Sequence, residues 1–130
     1  MKNLRHVYSV IERIPVDYVK QAAQDLPGQY FTEEELRSIA GKPARTIAGL
    51  LAVKKALVRL CAIAPAGKSH ACLEKSFTII ATSQGAPVLK TIPPVVARTW
   101  RSSVEDFHIS ITHTKSFAYG LAAFQEKGDV

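Results

Sequence analysis

The polar side chains near the end of the chain are the ones best suited to chemistry. In "FHISITHTKSFAYGLAAF", residues 107–124, alternating residues share one face of a predicted strand: His108, Ser110 and Thr112. The turn that follows is rich in hydrogen-bond donors: His113, Thr114, Lys115 and Ser116. Such donors suit phosphate or ribose oxygens. The alternative is an exposed antiparallel sheet face, on which hydroxyl residues are common.

Two lysines form a second chemical feature, in the segment "TIAGLLAVKKALVRLC" of residues 46–61. A helical period of 3.6 puts its apolar residues on one stripe, and Lys54 interrupts that stripe after Leu51. Lys55 lies on the neighbouring stripe of the same helix, one turn before Arg59. A cation that interrupts a face expected to be buried requires an explanation.

Other chemistries have weaker support in the sequence. His108 and His113 form a lone histidine pair with no further metal ligand at suitable spacing. Cys61 is predicted to lie in the core, which disfavours a cysteine nucleophile. We find no phosphate-binding Walker loop, GxGxxG or GxSxG motif. Aromatic residues do not interleave with the basic ones, which disfavours nucleic-acid binding.

The charge distribution predicts an anionic partner. The chain has 130 residues and a formal net charge of +6. Between Leu36 and Leu73 there is no acid, but there are seven basic residues: Arg37, Lys42, Arg45, Lys54, Lys55, Arg59 and Lys68. A nucleic acid, a polyphosphate cofactor or an acidic protein would fit this block. The alternative is a solvated face with no specific ligand.

The composition predicts a cytoplasmic protein with one domain, residues 1–130. The start, "MKNLRHVYSV", has no apolar run typical of a secretion signal, and no segment is long enough to cross a membrane. The two cysteines, Cys61 and Cys72, make neither a disulfide framework nor a metal cluster.

The first half of the chain predicts mainly helices. Residues 5–12 alternate like a strand, which Pro15 ends, and a weak helix is predicted at 16–25, before Pro27 and Gly28. Thr32 and Glu35 form a capping box at the start of a helix that ends near Gly41. A long helix is predicted from about Ala44 to Cys61, with "APAG" as its breaker.

The second half predicts mainly strands. Residues 76–92 suggest two strands around a turn at 84–87, "PPVVARTWR" suggests a short helix, and residues 107–124 suggest a hairpin. Helices early and strands late favour an α+β fold.

Several segments, in order, resemble the holo-acyl-carrier-protein synthase type of 4'-phosphopantetheinyl transferase. "FHISITHTKSFAYGLAAF" resembles its C-terminal hairpin, and "RTIAGLLAVKKALVRL" resembles its central helix. "SFTIIATSQGAPVL" is similar to its Gly-x-Pro hairpin, and "FTEEEL" to its T-x-x-E helix start. The resemblance covers nearly the whole chain.

The resemblance implies an α+β fold with a long central helix packed on an antiparallel sheet, in a homotrimer with clefts between subunits. It implies transfer of 4'-phosphopantetheine from coenzyme A to a serine of an acidic acyl carrier protein, with Mg2+, in fatty acid or polyketide biosynthesis. Eight residues are implied as coenzyme A contacts: Arg45, Lys54, Arg59, His108, Ser110, Thr112, His113 and Thr114. Lys54 is implied to point into the cofactor cleft.

The departures from the family pattern fall on its metal site. The positions of its two metal-binding acids hold Val7 and Lys55, neither of which supplies the hard oxygen that Mg2+ requires. Leu50 replaces an arginine, either leaving a phosphate unsupported or packing at a subunit contact. We therefore predict no metal ligands at these positions, unless another acid such as Glu12 or Asp17 replaces them.

Two functional hypotheses follow. In the first, the protein is an active transferase in which the Lys55 ammonium partly replaces the metal and a histidine, His108 or His113, is the general base. Its catalytic candidates are Lys54, Lys55 and His113. In the second, the protein is a degenerate homologue that binds coenzyme A, a carrier protein or an active relative without catalysing transfer.

Overall fold

The computed structural model describes residues 6–22, 26–63, 74–82 and 86–126. These residues form an α+β fold in which a long helix packs on an antiparallel sheet, as predicted. The strands are β1 (Val7–Pro15), β2 (Thr78–Ala81), β3 (Pro87–Thr91), β4 (Phe107–His113) and β5 (Phe117–Gln125). The helices are α1 (Val16–Gln21), α2 (Leu26–Tyr30), α3 (Glu33–Ile39), α4 (Ala44–Ile63) and α5 (Pro94–Thr99).

Two separate sheets are present in the described part of the chain. One has three strands in the order β1-β5-β4, and the other is the β2–β3 hairpin. Both pairings in the larger sheet are antiparallel, with Glu12 and Ile111 both opposite Gly120. Among the described residues the two sheets are not hydrogen-bonded to each other, so side chains must hold the hairpin in place.

Helix α4 packs on the inner face of the three-stranded sheet because both surfaces are apolar. Leu51, Leu57 and Leu60 are fully buried on the helix, and Val10 and Phe124 face them from the strands. The two elements approach very closely at Gly120, where a Cβ atom would lie 2.3 Å from the backbone nitrogen of Val53. The glycine therefore allows the helix backbone to rest almost directly on β5.

The predicted start of α3 is confirmed in atomic detail. The Thr32 hydroxyl accepts a hydrogen bond from the Glu35 amide at 3.2 Å, and the Glu35 carboxylate accepts one from the Thr32 amide at 2.8 Å. These reciprocal bonds satisfy amides that the first helical turn leaves without partners. Helix α5 and the hairpin of β4 and β5 also agree with the predictions.

Some predicted boundaries differ from the observed ones. Strand β1 continues to Pro15, α4 ends at Ile63, and α1 ends at Gln21 rather than at residue 25. The segment with Pro27 and Gly28, where a helix stop was predicted, belongs to the short helix α2, because proline is tolerated in a first helical turn. The "APAG" breaker, Lys68, Cys72 and residues 84–85 of the predicted turn lie outside the described residues.

No helix in the described ranges combines the length and the apolar character needed to cross a membrane. Cys61 is buried in the core on the apolar face of α4, as predicted.

Candidate functional site

A cleft opens where the first turn of α4 meets the β4–β5 hairpin. It consists of two adjoining cavities that share Arg45 and His113. The first cavity has a volume of about 400 Å³ and is bounded on its far side by the β2–β3 hairpin. The second has a volume of about 570 Å³ and is bounded by α1.

Positive charge dominates the second cavity. Its walls carry three permanent cations, Lys20, Arg45 and Lys115, together with His113 and Thr114, and no acidic residue is among the described residues that line it. The first turn of α4 lies in the same wall, so the positive end of the helix dipole adds to the field. This arrangement can neutralise a phosphate or another multiply charged anion.

Hydrogen bonds within and beside the turn between β4 and β5 position two of these cations, Lys20 and Lys115. The Thr114 hydroxyl accepts hydrogen bonds from the amides of Ser116 and Phe117, which closes the turn. The Ser116 carbonyl accepts a hydrogen bond from the Val16 amide at 2.9 Å, which ties the turn to α1. Lys20 on α1 and Lys115 in the turn are therefore held on the same cavity wall.

The first cavity is mainly apolar. Leu50, Ile109 and Ile111 line it, with Ala81 and Pro87 on the opposite hairpin. Leu50 is only 3% exposed and also belongs to the core, so the position at which the family pattern has an arginine contributes no charge here. The cleft as a whole thus offers a charged end and an apolar end.

Lys54 does not reach the cleft, contrary to what the resemblance implies. Its side chain is fully buried, and its ammonium donates hydrogen bonds to the Glu35 carboxylate and to the Phe77 carbonyl, both at 2.6 Å. Burial lowers the pKa of Lys54 from its ordinary value, and the hydrogen bond and charge of Glu35 oppose that shift. Because its donors are directed to interior partners, Lys54 is placed to support the fold rather than a substrate.

Lys55 and Arg59 lie on α4 outside the cleft, and each has an acidic partner. The Lys55 ammonium is 3.4 Å from the Glu74 carboxylate and 4.4 Å from the centre of the Tyr30 ring. Arg59 forms an ion pair with Glu12 of β1. Much of the positive charge of the basic block is thus compensated within the chain.

Three of the predicted hairpin residues face away from α4. His108, Ser110 and Thr112 are on the outer face of the three-stranded sheet, as the strand alternation predicts, and all three are exposed. Ser110 also reaches the first cavity because β4 is an edge strand. Of the eight implied coenzyme A contacts, the structure brings four to the cleft: Arg45, Ser110, His113 and Thr114.

The residues at the family's metal positions do not fit Mg2+. Val7 is on the outer face of β1 and 62% exposed, whereas Lys55 belongs to the helix that packs on the inner face. The two positions therefore lie on opposite sides of the sheet. Glu12, an alternative metal ligand, is paired with Arg59. The described ranges contain no group of three or more His, Cys, Asp or Glu residues placed to hold a metal ion.

Sequence reasoning missed Lys20 as a member of the site, and it noted Lys115 only as a donor in the turn. Lys20 lies on the short helix α1, which directly follows β1, and it belongs to no sequence motif. Its membership depends on the hydrogen bond between Val16 and Ser116, which joins segments about a hundred residues apart. No local signal predicts such a contact.

Comparison with solved structures identifies the fold. Neither a protein-family model nor a curated protein sequence matches the chain. An apo holo-acyl-carrier-protein synthase from Chronobacterium ammoniagenes superimposes with a TM-score of 0.75 at 17% identity, covering 95% of this chain and 99% of that one. The Helicobacter pylori holo-acyl-carrier-protein synthase in complex with coenzyme A gives a TM-score of 0.71 at 17% identity, covering 88% of this chain and 97% of that one.

A holo-acyl-carrier-protein synthase from Bacillus anthracis, in complex with coenzyme A (3',5'-ADP), gives a TM-score of 0.68 at 19% identity, covering 92% of this chain and 96% of that one. These likenesses extend over almost the full length of both chains. The chain therefore has the holo-acyl-carrier-protein synthase fold, which confirms at the level of the fold the resemblance read from the sequence.

Proposed function

We propose that this chain binds coenzyme A in the cleft and transfers its 4'-phosphopantetheine group to a serine of an acyl carrier protein. One observation carries the proposal. In the fold of the holo-acyl-carrier-protein synthases, the cations Lys20, Arg45 and Lys115 converge beside His113 with no acid among the described residues of that wall. Coenzyme A carries several phosphate charges, which such a site would neutralise.

The chemistry is phosphoryl transfer. The serine hydroxyl oxygen bonds to the phosphorus that carries the pantetheine arm, the pyrophosphate P–O bond breaks, and adenosine 3',5'-bisphosphate leaves. His113 lines the cleft and would take the serine proton, whereas His108 is on the outer sheet face. Arg45 and the two lysines would offset the charge on the phosphate oxygens.

We expect Arg45→Glu to weaken coenzyme A binding by about 100-fold, because it removes a charge-assisted contact and adds a repulsive charge. Titration calorimetry, run once with Mg2+ and once with a chelator, measures this. The matched control is Arg98→Glu, which makes the same change on the exposed side of α5. The wild-type protein should bind equally in both buffers. If Arg45→Glu bound coenzyme A like the wild type, the cleft would not be the site.

The transfer step is tested by mass spectrometry of an apo carrier protein incubated with coenzyme A and the protein. A mass gain of one phosphopantetheine group is expected with the wild type and its loss is expected with His113→Ala. A second candidate function is binding of coenzyme A without transfer. It is favoured because Val7 and Lys55, at the family's metal positions, do not supply the oxygen ligands that Mg2+ requires. Calorimetric binding without a mass gain would support that alternative.

We also propose a homotrimer with clefts between subunits, in which Lys55 and Arg59 of one chain would approach the cleft of its neighbour. Within one chain, Lys55 and Arg59 lie apart from the cleft of Arg45 and His113. The outer face of the three-stranded sheet supports the proposal: Ile11 is 64% exposed there and lines a shallow hollow with Tyr119 and Leu121. An apolar face of this kind is typical of a subunit contact.

We expect Ile11→Asp to shift the protein from trimer to monomer in light scattering after gel filtration, because it buries a charge in the contact. Val88→Asp is the matched control, since Val88 is an exposed valine on the other sheet, and it should remain trimeric. A wild-type protein that is monomeric throughout would contradict the proposed assembly.

An acidic carrier protein would approach the cationic rim formed by Lys20 and Lys115, where opposite charge raises the association rate. We place this activity in the cytoplasm, in fatty acid or polyketide biosynthesis. Neither a membrane nor a nucleic acid is proposed as a partner.

A further inference from the structure

We propose that the buried pair of Glu35 and Lys54 is a positioning device that holds the β2–β3 hairpin against α4 and so sets the width of the first cavity. The part of the inference that concerns ligand affinity rests on the proposed function. The part that concerns the hairpin does not.

The pair links three elements through directional hydrogen bonds. The Glu35 carboxylate of α3 accepts from the N-cap Thr32 amide at 2.8 Å, from the Lys54 ammonium of α4 at 2.6 Å and from the Ile79 amide of β2 at 2.7 Å. Lys54 also donates to the Phe77 carbonyl at 2.6 Å. Two of these four bonds therefore end on the backbone at the start of β2.

These bonds fall where the hairpin's own ladder is irregular. Thr78 pairs with Thr91, but the next residue, Ile79, pairs with Leu89, so Lys90 is left over on β3. An extra residue of this kind interrupts the backbone hydrogen bonds between two strands. The Glu35 side chain supplies a partner for the Ile79 amide at this interruption, which anchors the strand to α3 and α4.

The anchored hairpin forms a wall of the cleft. Ala81, Ala86 and Pro87 line the first cavity, and Ala81 is only two residues beyond Ile79. The hairpin is not hydrogen-bonded to the three-stranded sheet in the described part of the chain. A shift of β2 relative to α4 would therefore widen or close the cavity between Ala81 and Leu50.

A pair of apolar residues in place of Glu35 and Lys54 would fill the same space. Apolar contacts are not directional, so they would not fix the position of β2 relative to α4. Replacing a buried ion pair by apolar residues of similar size often leaves stability unchanged or raises it. The expected loss in such a variant is therefore in the placement of the hairpin and not in the folding of the domain.

The test is amide hydrogen exchange in Glu35→Leu/Lys54→Met. We expect the Ile79 and Leu89 amides to exchange at least about tenfold faster than in the wild type, the ratio expected for loss of one hydrogen bond to a charged group. The Ala122 amide in β5 should be unchanged. Coenzyme A affinity, measured on the same sample, should fall about tenfold as the cavity wall shifts.

The matched control is Glu34→Leu/Lys90→Met, which makes the same replacements in the exposed ion pair that joins α3 to β3. It should leave both readouts unchanged. Equal acceleration at Ile79 and Ala122, or the same acceleration in the control, would overturn the inference. If Glu35→Leu/Lys54→Met does not fold, Glu35→Gln is measured instead, with the same expected pattern, because one amide oxygen cannot accept all three bonds.

A wild-type protein that does not bind coenzyme A would overturn the proposed function alone. The exchange experiment needs no ligand, so its result still decides whether the pair positions the hairpin.

Discussion

Replacing Lys54 by methionine is expected to destabilise the protein by about 3–5 kcal/mol, the loss typical when one partner of a buried ion pair is removed. Glu35 is 1% exposed, so its carboxylate would remain buried without a cation. Methionine preserves most of the side chain's length, so the loss would come mainly from the uncompensated charge and the unpaired Phe77 carbonyl. Urea unfolding followed by circular dichroism measures the change.

Two further variants make this expectation specific. Adding Glu35→Leu to Lys54→Met should recover at least half of the lost stability, because no uncompensated charge would remain in the core. Lys55→Met, one residue along α4, should cost less than about 1 kcal/mol because its side chain is 28% exposed and its ion pair is partly solvated. A similar loss in Lys54→Met and Lys55→Met would show that burial of the pair is unimportant.

Gly120→Ala is expected to cost at least about 3 kcal/mol, at the upper end of the effects of overpacking a core. The added Cβ atom would lie 2.3 Å from the Val53 nitrogen and 2.5 Å from the Ala52 carbonyl carbon. Both are backbone atoms in the middle of α4, so no side-chain rotation relieves the clash. The helix would have to move away from β5. Thermal unfolding and the same urea experiment measure the loss.

Two other glycines provide a graded comparison. At Gly49 the added Cβ would meet the Cγ2 methyl of Ile111 at 2.6 Å, which is a side-chain atom and not backbone, so Gly49→Ala should cost less than Gly120→Ala. At Gly28 nothing lies within 4 Å, and alanine there should be neutral or stabilising by up to about 1 kcal/mol. Equal losses at Gly120 and Gly28 would contradict the packing described for β5 and α4.

The sequence predicted the elements whose signals are local. The capping box of Thr32 and Glu35, the long helix from Ala44 and the final hairpin all depend on residues within a few positions of one another. The alternation in β4 also indicated which side chains share a face. The same local motifs carried the resemblance to the holo-acyl-carrier-protein synthases, which the structural comparisons confirm for the fold.

The candidate site was only partly predictable. Arg45 and His113 were named from the sequence and meet in the cleft. The basic block predicted an anionic partner, but Lys54 is directed into the core, and Lys55 and Arg59 turn toward Glu74 and Glu12. Charge along a chain shows how many cations there are, whereas their partners come from elements far away in sequence.

Lys54 shows most clearly what each level determines. The helical period alone established that a cation interrupts the apolar stripe of α4, because that periodicity depends only on neighbouring residues. The tertiary structure alone decided that this cation is buried, since its partners Glu35 and Phe77 lie 19 and 23 residues away on other elements. The cleft is likewise a product of tertiary structure: α1, α4 and the hairpin each supply one cation, and only packing brings the three together.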